Sequence, residues 1–445
     1  MNPRFVLSSS IDHHLSSTMG IQSLILSKRF AILVAFLLTP IPKYLGIYEF
    51  LCSFHPFTIG IVPWSIANEQ RWGFTFDDLY GDGKNSLDDD VRAKYRTRLW
   101  GQRAVVTGAN SGIGYEISLA LARLGVRVTM VCRNPKKCEA AANKIRQDEI
   151  MLQRNKDDFE EGIIEVTTMI ADMSSLKSVQ KFSKEFLARN VDPEGDQLPL
   201  DMLFLNAGIG AADANEDGSL PMSEDGIELV FATNVVGHHL MYRLLEPTLY
   251  NEKGRITPAR IVQTASCMSY INLLPYKVAT DLETLNGVSE VNRTIFHKDY
   301  VYPQSKLAQI LWVKELTDRL DATNGDSNSN NPNSIVYVNA ANPGAVATNI
   351  WADREELPLL VKITCFWARF LQRLMWRTDQ GALTLLYLGT AVEDLQAKKI
   401  RGQFYHPQST RMAPHNLFKH DNEKNTKLLQ GNMWKFLDEL VADFL

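Results

Sequence analysis

Tyr302 and Lys306 are four residues apart, a spacing that places both side chains on one face of a helix. An ammonium group beside a phenol stabilises the phenolate, so a tyrosine with a pKa near 10 becomes usable for proton transfer near neutral pH. A glycine-rich stretch, Thr107–Gly114, lies upstream, and Asn234 and Ser266 follow it in order. This ordered set predicts a site for hydride transfer on a bound dinucleotide.

The glycine-rich stretch predicts a seat for the dinucleotide. Gly108 allows a sharp turn at the end of a strand, while Gly112 and Gly114 let a phosphate and the strand approach a helix without a side-chain clash. The helix that begins near Gly112 offers unpaired N–H groups and its positive dipole end to a pyrophosphate. The spacing is G-x-x-x-G-x-G rather than G-x-G-x-x-G.

Residues after the next strands bear on the choice of cofactor. Cys132 stands where an acidic residue would bind the ribose of NAD, and Arg133, which follows it, suits a 2′-phosphate. NADP(H) is therefore favoured, with NAD(H) as the alternative. Asp172 closes the third predicted strand, where it can reach the adenine. Asn206–Gly208 ends the fourth strand, where small residues let the chain pass beneath the cofactor.

Two further side chains complete the predicted chemistry. Ser266 follows the fifth strand, and its hydroxyl can hydrogen-bond the substrate oxygen. Ser269 is the competing hydroxyl, and the strand register favours Ser266. Asn234 lies in the middle of a predicted helix although asparagine is a poor helix former. We expect Asn234 to bend that helix and to hold a water in line with Lys306.

The elements that must position these residues alternate between strand and helix, which predicts a parallel α/β sheet. The predicted strands are residues 103–107, 126–132, 164–170, 202–205, 260–264 and 335–340, with 402–405 as an edge strand. The predicted helices are residues 112–124, 135–153, 175–189, 226–250, 300–320, 378–391 and 422–444.

The bulk composition excludes several classes of function. The chain has 445 residues, 45% of them apolar, and a net charge of -4, so we expect no nucleic-acid partner. The five cysteines contain no C-x-x-C pair, which predicts reduced thiols. The adjacent histidines, His13-His14 and His238-His239, have no known metal-ligand spacing, so we predict no metal.

The first 98 residues predict a separate region ahead of a domain spanning 99–445. Residues 1–70 contain a basic, apolar stretch typical of a signal or membrane anchor, and 71–98 form an acidic linker. The alternatives are a cleaved organelle transit peptide and an arm packed on the domain. The apolar segment 353–377 is interpreted as a substrate lid that contacts a membrane, as a lid alone, or as a core helix.

Read together, these motifs resemble the short-chain dehydrogenase/reductase superfamily. The matching segments are TGANSGIG (107–114), NAG (206–208), NVVGHH (234–239), Ser266, YPQSK (302–306) and NPGAVAT (342–348). A VCRN segment (131–134) and an R-G-x-Y/F segment (401–405) are similar to the retinol-dehydrogenase-like branch. The resemblance implies a doubly wound Rossmann fold with a mainly parallel seven-stranded sheet.

The resemblance also implies functional residues. It implies a catalytic tetrad of Asn234, Ser266, Tyr302 and Lys306, and contact of Pro343, Gly344, Val346 and Thr348 with the nicotinamide amide and phosphates. The predicted cofactor-binding residues are Thr107, Gly108, Asn110, Ser111, Gly112, Ile113, Gly114, Arg133, Asp172, Asn206, Ala207, Gly208, Tyr302, Lys306, Pro343, Gly344, Val346 and Thr348.

The sequence thus predicts an NADP(H)-dependent oxidoreductase that interconverts an alcohol and a ketone or aldehyde. The apolar segment favours a lipophilic substrate such as a retinoid, a steroid or a fatty aldehyde. We expect association with a membrane, at the endoplasmic reticulum or a lipid droplet, with plastid or mitochondrion as alternatives, and a homodimer as one assembly. Two other functions stay open: a light-dependent protochlorophyllide-type reductase, and a non-catalytic NADP(H)-binding sensor or scaffold.

Overall fold

The computed structural model describes residues 99–148, 165–210, 215, 219–251, 253–271, 278–287, 297–325, 335–346, 375–407, 410–411 and 423–445. The predicted arm (1–70), the predicted linker (71–98), Thr348 and most of the apolar segment 353–377 lie outside the described residues. Within the described ranges, no helix combines the length and the apolar character needed to cross a bilayer.

Strands and helices alternate along the chain as predicted. The strands are β1 (Arg103–Thr107), β2 (Arg127–Cys132), β3 (Val166–Ile170), β4 (Met202–Leu205), β5 (Arg260–Thr264), β6 (Tyr337–Ala341), β7 (Phe404–His406) and β8 (Thr410–Arg411). The main helices are α1 (Gly112–Arg123), α2 (Pro135–Arg146), α3 (Leu176–Arg189), α4 (Gly237–Leu249), α5 (His297–Gly325), α6 (Thr378–Thr390), α7 (Val392–Ala397) and α8 (Glu423–Val441).

The strands form one sheet in the order β3-β2-β1-β4-β5-β6-β7-β8. The first seven in this order are parallel, and the two-residue β8 pairs antiparallel with β7. The predicted doubly wound fold with seven parallel strands is confirmed. Because β1 lies between β2 and β4, the strand order reverses direction there, which is where open α/β sheets bind ligands.

Alternating side chains divide the strands between two helical layers. On β1, Val105 joins the core cluster that contains α3, α4, α5 and α8, whereas Ala104 and Val106 join the cluster that contains α1, α2 and α6. β1 is therefore covered on both faces, which explains why it reads as a near-continuous apolar run.

The helix predicted over 226–250 is divided into three parts. A short turn, Leu229–Phe231, leads into a π-helical segment, Ala232–Val236, and then into α4. The turn begins at Leu229 because the Glu228 carboxylate accepts hydrogen bonds from the backbone N–H groups of Val230 and Phe231, at 2.9 and 2.7 Å. A π-helical turn inside a helix is uncommon and is often found at functional sites.

The prediction of reduced thiols is wrong for two cysteines. Cys132 ends β2 and Cys138 lies in the first turns of α2, and a disulfide joins them across a Cα–Cα distance of 5.8 Å. The short turn between β2 and α2 brings these two cysteines, six residues apart in the sequence, close enough to form a disulfide. No familiar cysteine motif has this spacing, so the pairing was not visible in the sequence.

Candidate active site

The glycine-rich turn follows β1 at the carboxyl edge of the sheet. Gly108 and Gly112 have positive φ angles of 67° and 56°, which favour glycine. A Cβ on Gly114 would lie 2.4 Å from the Gly108 carbonyl oxygen and 2.6 Å from Asn206 Nδ2. Ser111 occupies the N-cap of α1, but its side chain makes no capping hydrogen bond there. The first turn of α1 therefore keeps the donor groups that suit a phosphate.

The chain after β4 packs directly against this turn. Thr107 Oγ1 accepts hydrogen bonds from the backbone N–H groups of Asn206 and Ala207 at 2.8 and 2.9 Å. The Asn206 side chain donates to the Thr107 carbonyl at 3.0 Å. A Cβ on Gly208 would lie 3.0 Å from Asn234 Oδ1 and 3.8 Å from Lys306 Nζ. This segment thus connects the predicted cofactor turn with two predicted catalytic residues.

Tyr302 lies on α5 and is buried, with only 9% of its surface exposed. Its phenol forms a hydrogen bond with the Ser266 side chain, which follows β5. Ser269 is fully buried, and its hydroxyl has no hydrogen-bond partner among the described residues. The structure therefore brings Ser266, rather than Ser269, to the tyrosine.

Lys306 lies one turn further along α5. Its Nζ atom is 5.4 Å from the centroid of the Tyr302 ring and donates to the Thr264 carbonyl at 2.9 Å and to Gln309 Oε1 at 3.0 Å. The lysine is 3% exposed, so these acceptors compensate an ammonium group removed from water.

Asn234 lies within the π-helical segment and is fully buried. Its Oδ1 accepts from the Ile209 N–H at 2.9 Å, and its Nδ2 donates to the Ile209 carbonyl at 3.1 Å and to Ser305 Oγ at 3.0 Å. The side chain therefore joins the segment after Gly208 to α5. The bend that the sequence predicts at Asn234 takes the form of this π-helical turn.

Burial dominates the protonation of the tyrosine and the lysine. It raises the pKa of Tyr302, and the hydrogen bond with Ser266 opposes that rise. It lowers the pKa of Lys306 to about 7. Both shifts arise because a poorly solvated site disfavours a charged group. Burial thus opposes the lowering of the tyrosine pKa that a neighbouring ammonium group favours.

The other predicted cofactor residues lie along the same edge. Arg133 is exposed directly after β2. The Asp172 carboxylate, after β3, accepts two hydrogen bonds from Ser174, at 3.0 Å from its N–H and 2.7 Å from its hydroxyl. Asn110 Nδ2 lies 3.5 Å from Ser111 Oγ. Ile113 lies in the first turn of α1 and packs against the core.

The segment after β6 turns sharply at the same edge. Gly344 has a φ of 89° and donates its N–H to Asn342 Oδ1 at 3.1 Å. It follows Pro343 and precedes Val346, which pairs with Trp376 in an isolated β-bridge. Thr348, predicted as part of this segment, lies outside the described residues.

Two polar side chains that the sequence analysis assigned to no role also belong to this cluster. Gln309 donates to the Asn234 main-chain carbonyl at 2.8 Å and accepts from Lys306. His238 contacts the same carbonyl at 3.1 Å through Nδ1 and Thr107 Oγ1 at 3.0 Å through Nε2. Gln309 lies three residues after Lys306, and His238 lies four residues after Asn234. This helical spacing is the sequence signal that could have identified both residues.

Comparison with known proteins agrees with this architecture. A family model described as short chain dehydrogenase matches residues 102–278. Human retinol dehydrogenase 14 is 33% identical over 302 residues, which cover 66% of this chain and 76% of the relative. Human retinol dehydrogenase 12 is 30% identical over 304 residues, which cover 68% of this chain and 78% of the relative.

A solved structure shares the fold. The crystal structure of an uncharacterised protein from Mycobacterium paratuberculosis aligns with a TM-score of 0.51 and 24% identity, covering 78% of this chain and 95% of that one. The sequence identities and the matched family model together establish the family. The chain is an oxidoreductase of the short-chain dehydrogenase family and belongs to its retinol-dehydrogenase-like branch.

Proposed function

We propose that this protein is an NADP(H)-dependent oxidoreductase that interconverts an alcohol and a ketone or aldehyde. The observation that carries the proposal is the cluster around Tyr302. This phenol is hydrogen-bonded with Ser266 and lies beside the Lys306 ammonium group. The same lysine lies next to Gly208, in the segment that packs under the glycine-rich turn.

The residues around the glycine-rich turn fit a dinucleotide. A side chain on Gly114 would collide with the Gly108 carbonyl, so the turn and α1 approach as closely as a bound pyrophosphate requires. The first turn of α1 would hold the pyrophosphate, and Arg133 would hold a 2′-phosphate. The Asp172 carboxylate would face the adenine. The exposed Arg133, directly after Cys132 at the position where an acid would bind NAD(H), supports NADP(H) as the cofactor.

The proposed chemistry divides between the cofactor and the chain. When bound, NADP(H) supplies the hydride to a carbonyl carbon or takes it from an alcohol. Tyr302 then gives its hydroxyl proton to the substrate oxygen during reduction and accepts that proton during oxidation. The Ser266 hydroxyl donates a hydrogen bond to the same oxygen and stabilises the negative charge that develops there. Lys306 stabilises the phenolate that Tyr302 becomes.

An apolar setting around Tyr302 supports a lipophilic substrate. Val230 and Val301 form a buried cluster with Tyr302, and three partly buried apolar side chains pack against it: Ile209, Leu220 and Met268. Relatives of this chain are named retinol dehydrogenases. We therefore infer a retinoid, steroid or fatty aldehyde as the class of substrate, with the apolar segment 353–377 as a lid over it.

We further propose that residues 1–70 direct the protein to a membrane. The basic and apolar composition of this arm supports association with the endoplasmic reticulum or a lipid droplet. Flotation with liposomes compares the full chain with a chain that begins at residue 71. The proposal expects the full chain to float and the shortened chain to stay behind, and equal flotation would contradict it.

A substrate panel tests the function itself. The full chain is incubated with NADPH and matched sets of lipophilic and small polar carbonyls, in darkness and again under illumination, and NADPH oxidation is recorded. We expect turnover of the lipophilic set. Preference for the polar set would contradict the substrate class. Turnover that requires light would favour the light-dependent reductase, and absence of turnover on every substrate would contradict the oxidoreductase assignment to this site.

A further inference from the structure

We propose that Gln309 is a positioning residue, which holds the Lys306 ammonium group in place and takes its own orientation from the main-chain carbonyl of Asn234. This inference rests on the proposed function, because it concerns how Lys306 is kept ready to support Tyr302. The contacts described for Asn234 and Lys306 meet at the Gln309 amide group.

The first step is the burial of both partners. Gln309 is 1% exposed and lies three residues after Lys306, on the same face of α5. Its Oε1 accepts from Lys306 Nζ at 3.0 Å, and among the described residues that ammonium group also donates to the Thr264 carbonyl. An ammonium group removed from water depends strongly on such acceptors. The amide oxygen therefore decides where Nζ lies and how readily it carries its charge.

The second step is the orientation of the amide. Gln309 Nε2 donates to the Asn234 carbonyl at 2.8 Å while Oε1 faces Lys306. If the amide were flipped, its NH₂ group would face an ammonium group and its oxygen would face a carbonyl oxygen. Both contacts would be repulsive, since neither pair combines a donor with an acceptor. The Asn234 carbonyl thus determines which end of the amide meets the lysine.

The third step is the support of that carbonyl by His238. Burial lowers the pKa of His238 to about 3, so the imidazole is neutral. A carbonyl cannot donate, so Nδ1 carries the proton that contacts Asn234, and Nε2 accepts from the Thr107 hydroxyl at 3.0 Å. Thr107 in turn accepts from the N–H groups of Asn206 and Ala207. A continuous series of hydrogen bonds therefore connects the end of β1 with Lys306.

Among the described residues, few titratable groups lie close enough to Lys306 to influence its protonation. These groups are Tyr302 on the same helix and His238 on α4. Cys267 lies near Tyr302 and raises the pKa of that tyrosine. His238 stays neutral across the working pH range. A substitution at Gln309 should therefore change the apparent pKa values with which Lys306 and Tyr302 titrate as a pair.

Two substitutions at Gln309 give opposite expectations. Gln309→Met keeps the length of the side chain but removes the acceptor, so the charged form of Lys306 is disfavoured and its pKa falls by about one unit. Gln309→Glu keeps an acceptor and adds a negative charge, so the pKa rises by about one unit. We expect turnover of the Met variant to fall about ten- to a hundredfold near pH 7.

The experiment uses the full chain and two readouts. Urea unfolding from about pH 6 to about pH 10 reports the pKa of Lys306, because stability changes with pH where the folded and unfolded chains bind this proton differently. The pH profile of kcat/KM for carbonyl reduction is recorded in parallel. Gln430→Met is the matched control, because Gln430 is also 1% exposed but lies on α8, where its amide contacts Asp318.

Opposite shifts in the two Gln309 variants, with none in the Gln430 variant, are the expected result. An unchanged titration in both, or a shift in the same direction, would overturn the inference, because a merely structural glutamine would not move the lysine pKa. Should the Met variant fail to fold, the direction of the shift in the Glu variant decides. Unfolding requires no turnover, so inactivity of the wild-type chain would contradict the proposed function without altering this result.

Discussion

Asn234 and Ile209 hold one another through two hydrogen bonds, with Asn234 Oδ1 accepting from the Ile209 N–H at 2.9 Å and Nδ2 donating to the Ile209 carbonyl at 3.1 Å. The amide thus pairs with the backbone as a neighbouring strand would. It fixes the segment after Gly208 against the π-helical turn. This contact gives Asn234 a structural task that its position in the sequence does not reveal.

Replacement of Asn234 by Ala should therefore destabilise the fold as well as the site. The change leaves the Ile209 N–H and carbonyl and the Ser305 hydroxyl without this partner in a buried setting. We expect the free energy of unfolding to fall by about 2–4 kcal/mol, measured by urea denaturation.

The matched control is Asn339→Ala. Asn339 is also buried and also pairs with backbone groups, those of Ile400 and Gln403, but on β6. The control should lose comparable stability yet keep the turnover of its folded fraction. Equal turnover in the folded fractions of both variants would contradict a role for Asn234 in the active site.

Gly208 should be sensitive to a single methyl group. A Cβ there would lie 3.0 Å from Asn234 Oδ1, so the amide or the segment must move by a few tenths of an ångström. Because Lys306 Nζ is the next neighbour, we expect Gly208→Ala to lower kcat about tenfold while the protein stays folded.

Gly431→Ala on α8 provides the comparison, since no atom lies within 4 Å of the added Cβ. This second variant should be fully active and slightly more stable, because Ala is the better helix former. Full activity of Gly208→Ala would show that the contact with Asn234 is too loose to matter.

Arg133 should set the preference between the two nicotinamide cofactors. Replacement by Asp removes the guanidinium group proposed to face the 2′-phosphate and adds an acid that suits a ribose hydroxyl. We expect the ratio of kcat/KM for NADPH over NADH to fall about ten- to a hundredfold.

Arg127→Asp controls for the change in net charge. Arg127 is exposed at the opposite end of β2 from Arg133, so its loss should leave the cofactor ratio unchanged. If both substitutions alter the ratio equally, general electrostatic attraction of the cofactor explains the preference and Arg133 has no specific role.

The buried lysine should make stability depend on pH. Burial lowers the pKa of Lys306 from 10.5 to about 7, so between these values the unfolded chain binds this proton more strongly than the folded chain. The free energy of unfolding should therefore rise with pH across that window, by up to about 2.7 kcal/mol over two pH units. Urea titrations of the wild type and of Lys306→Met measure it, and the difference between them isolates the lysine. Parallel curves for the two proteins would contradict the lowered pKa.

Much of the fold could be predicted because strands and turns carry local signals. β1, β4 and β5 begin and end at the predicted residues, since each is a short apolar run that leads into glycine or small polar residues. The cysteine pair and the π-helical turn were missed. Both depend on how two segments meet in space, and the spacing of apolar residues does not record that.

Some residues of the candidate site could likewise be predicted from the sequence, and others could not. Tyr302, Lys306 and Ser266 could be singled out because their side-chain types and order are unusual together. The partner of the lysine could not be, because Gln309 has the appearance of any polar residue on a helix. Its position becomes informative only once the π-helical turn presents the Asn234 carbonyl to it.

The most direct measurement compares the wild type with Tyr302→Phe for turnover and for cofactor binding. The proposed mechanism requires the Tyr302 hydroxyl for proton transfer, so turnover with NADPH should fall by about 10²–10⁴-fold. The affinity for NADPH should stay within about twofold, because the glycine-rich turn and the first turn of α1, which are proposed to hold the pyrophosphate, are unchanged. Equal turnover in the two proteins, or catalysis by neither while NADPH binds both alike, would contradict Tyr302 as the proton donor of an oxidoreductase.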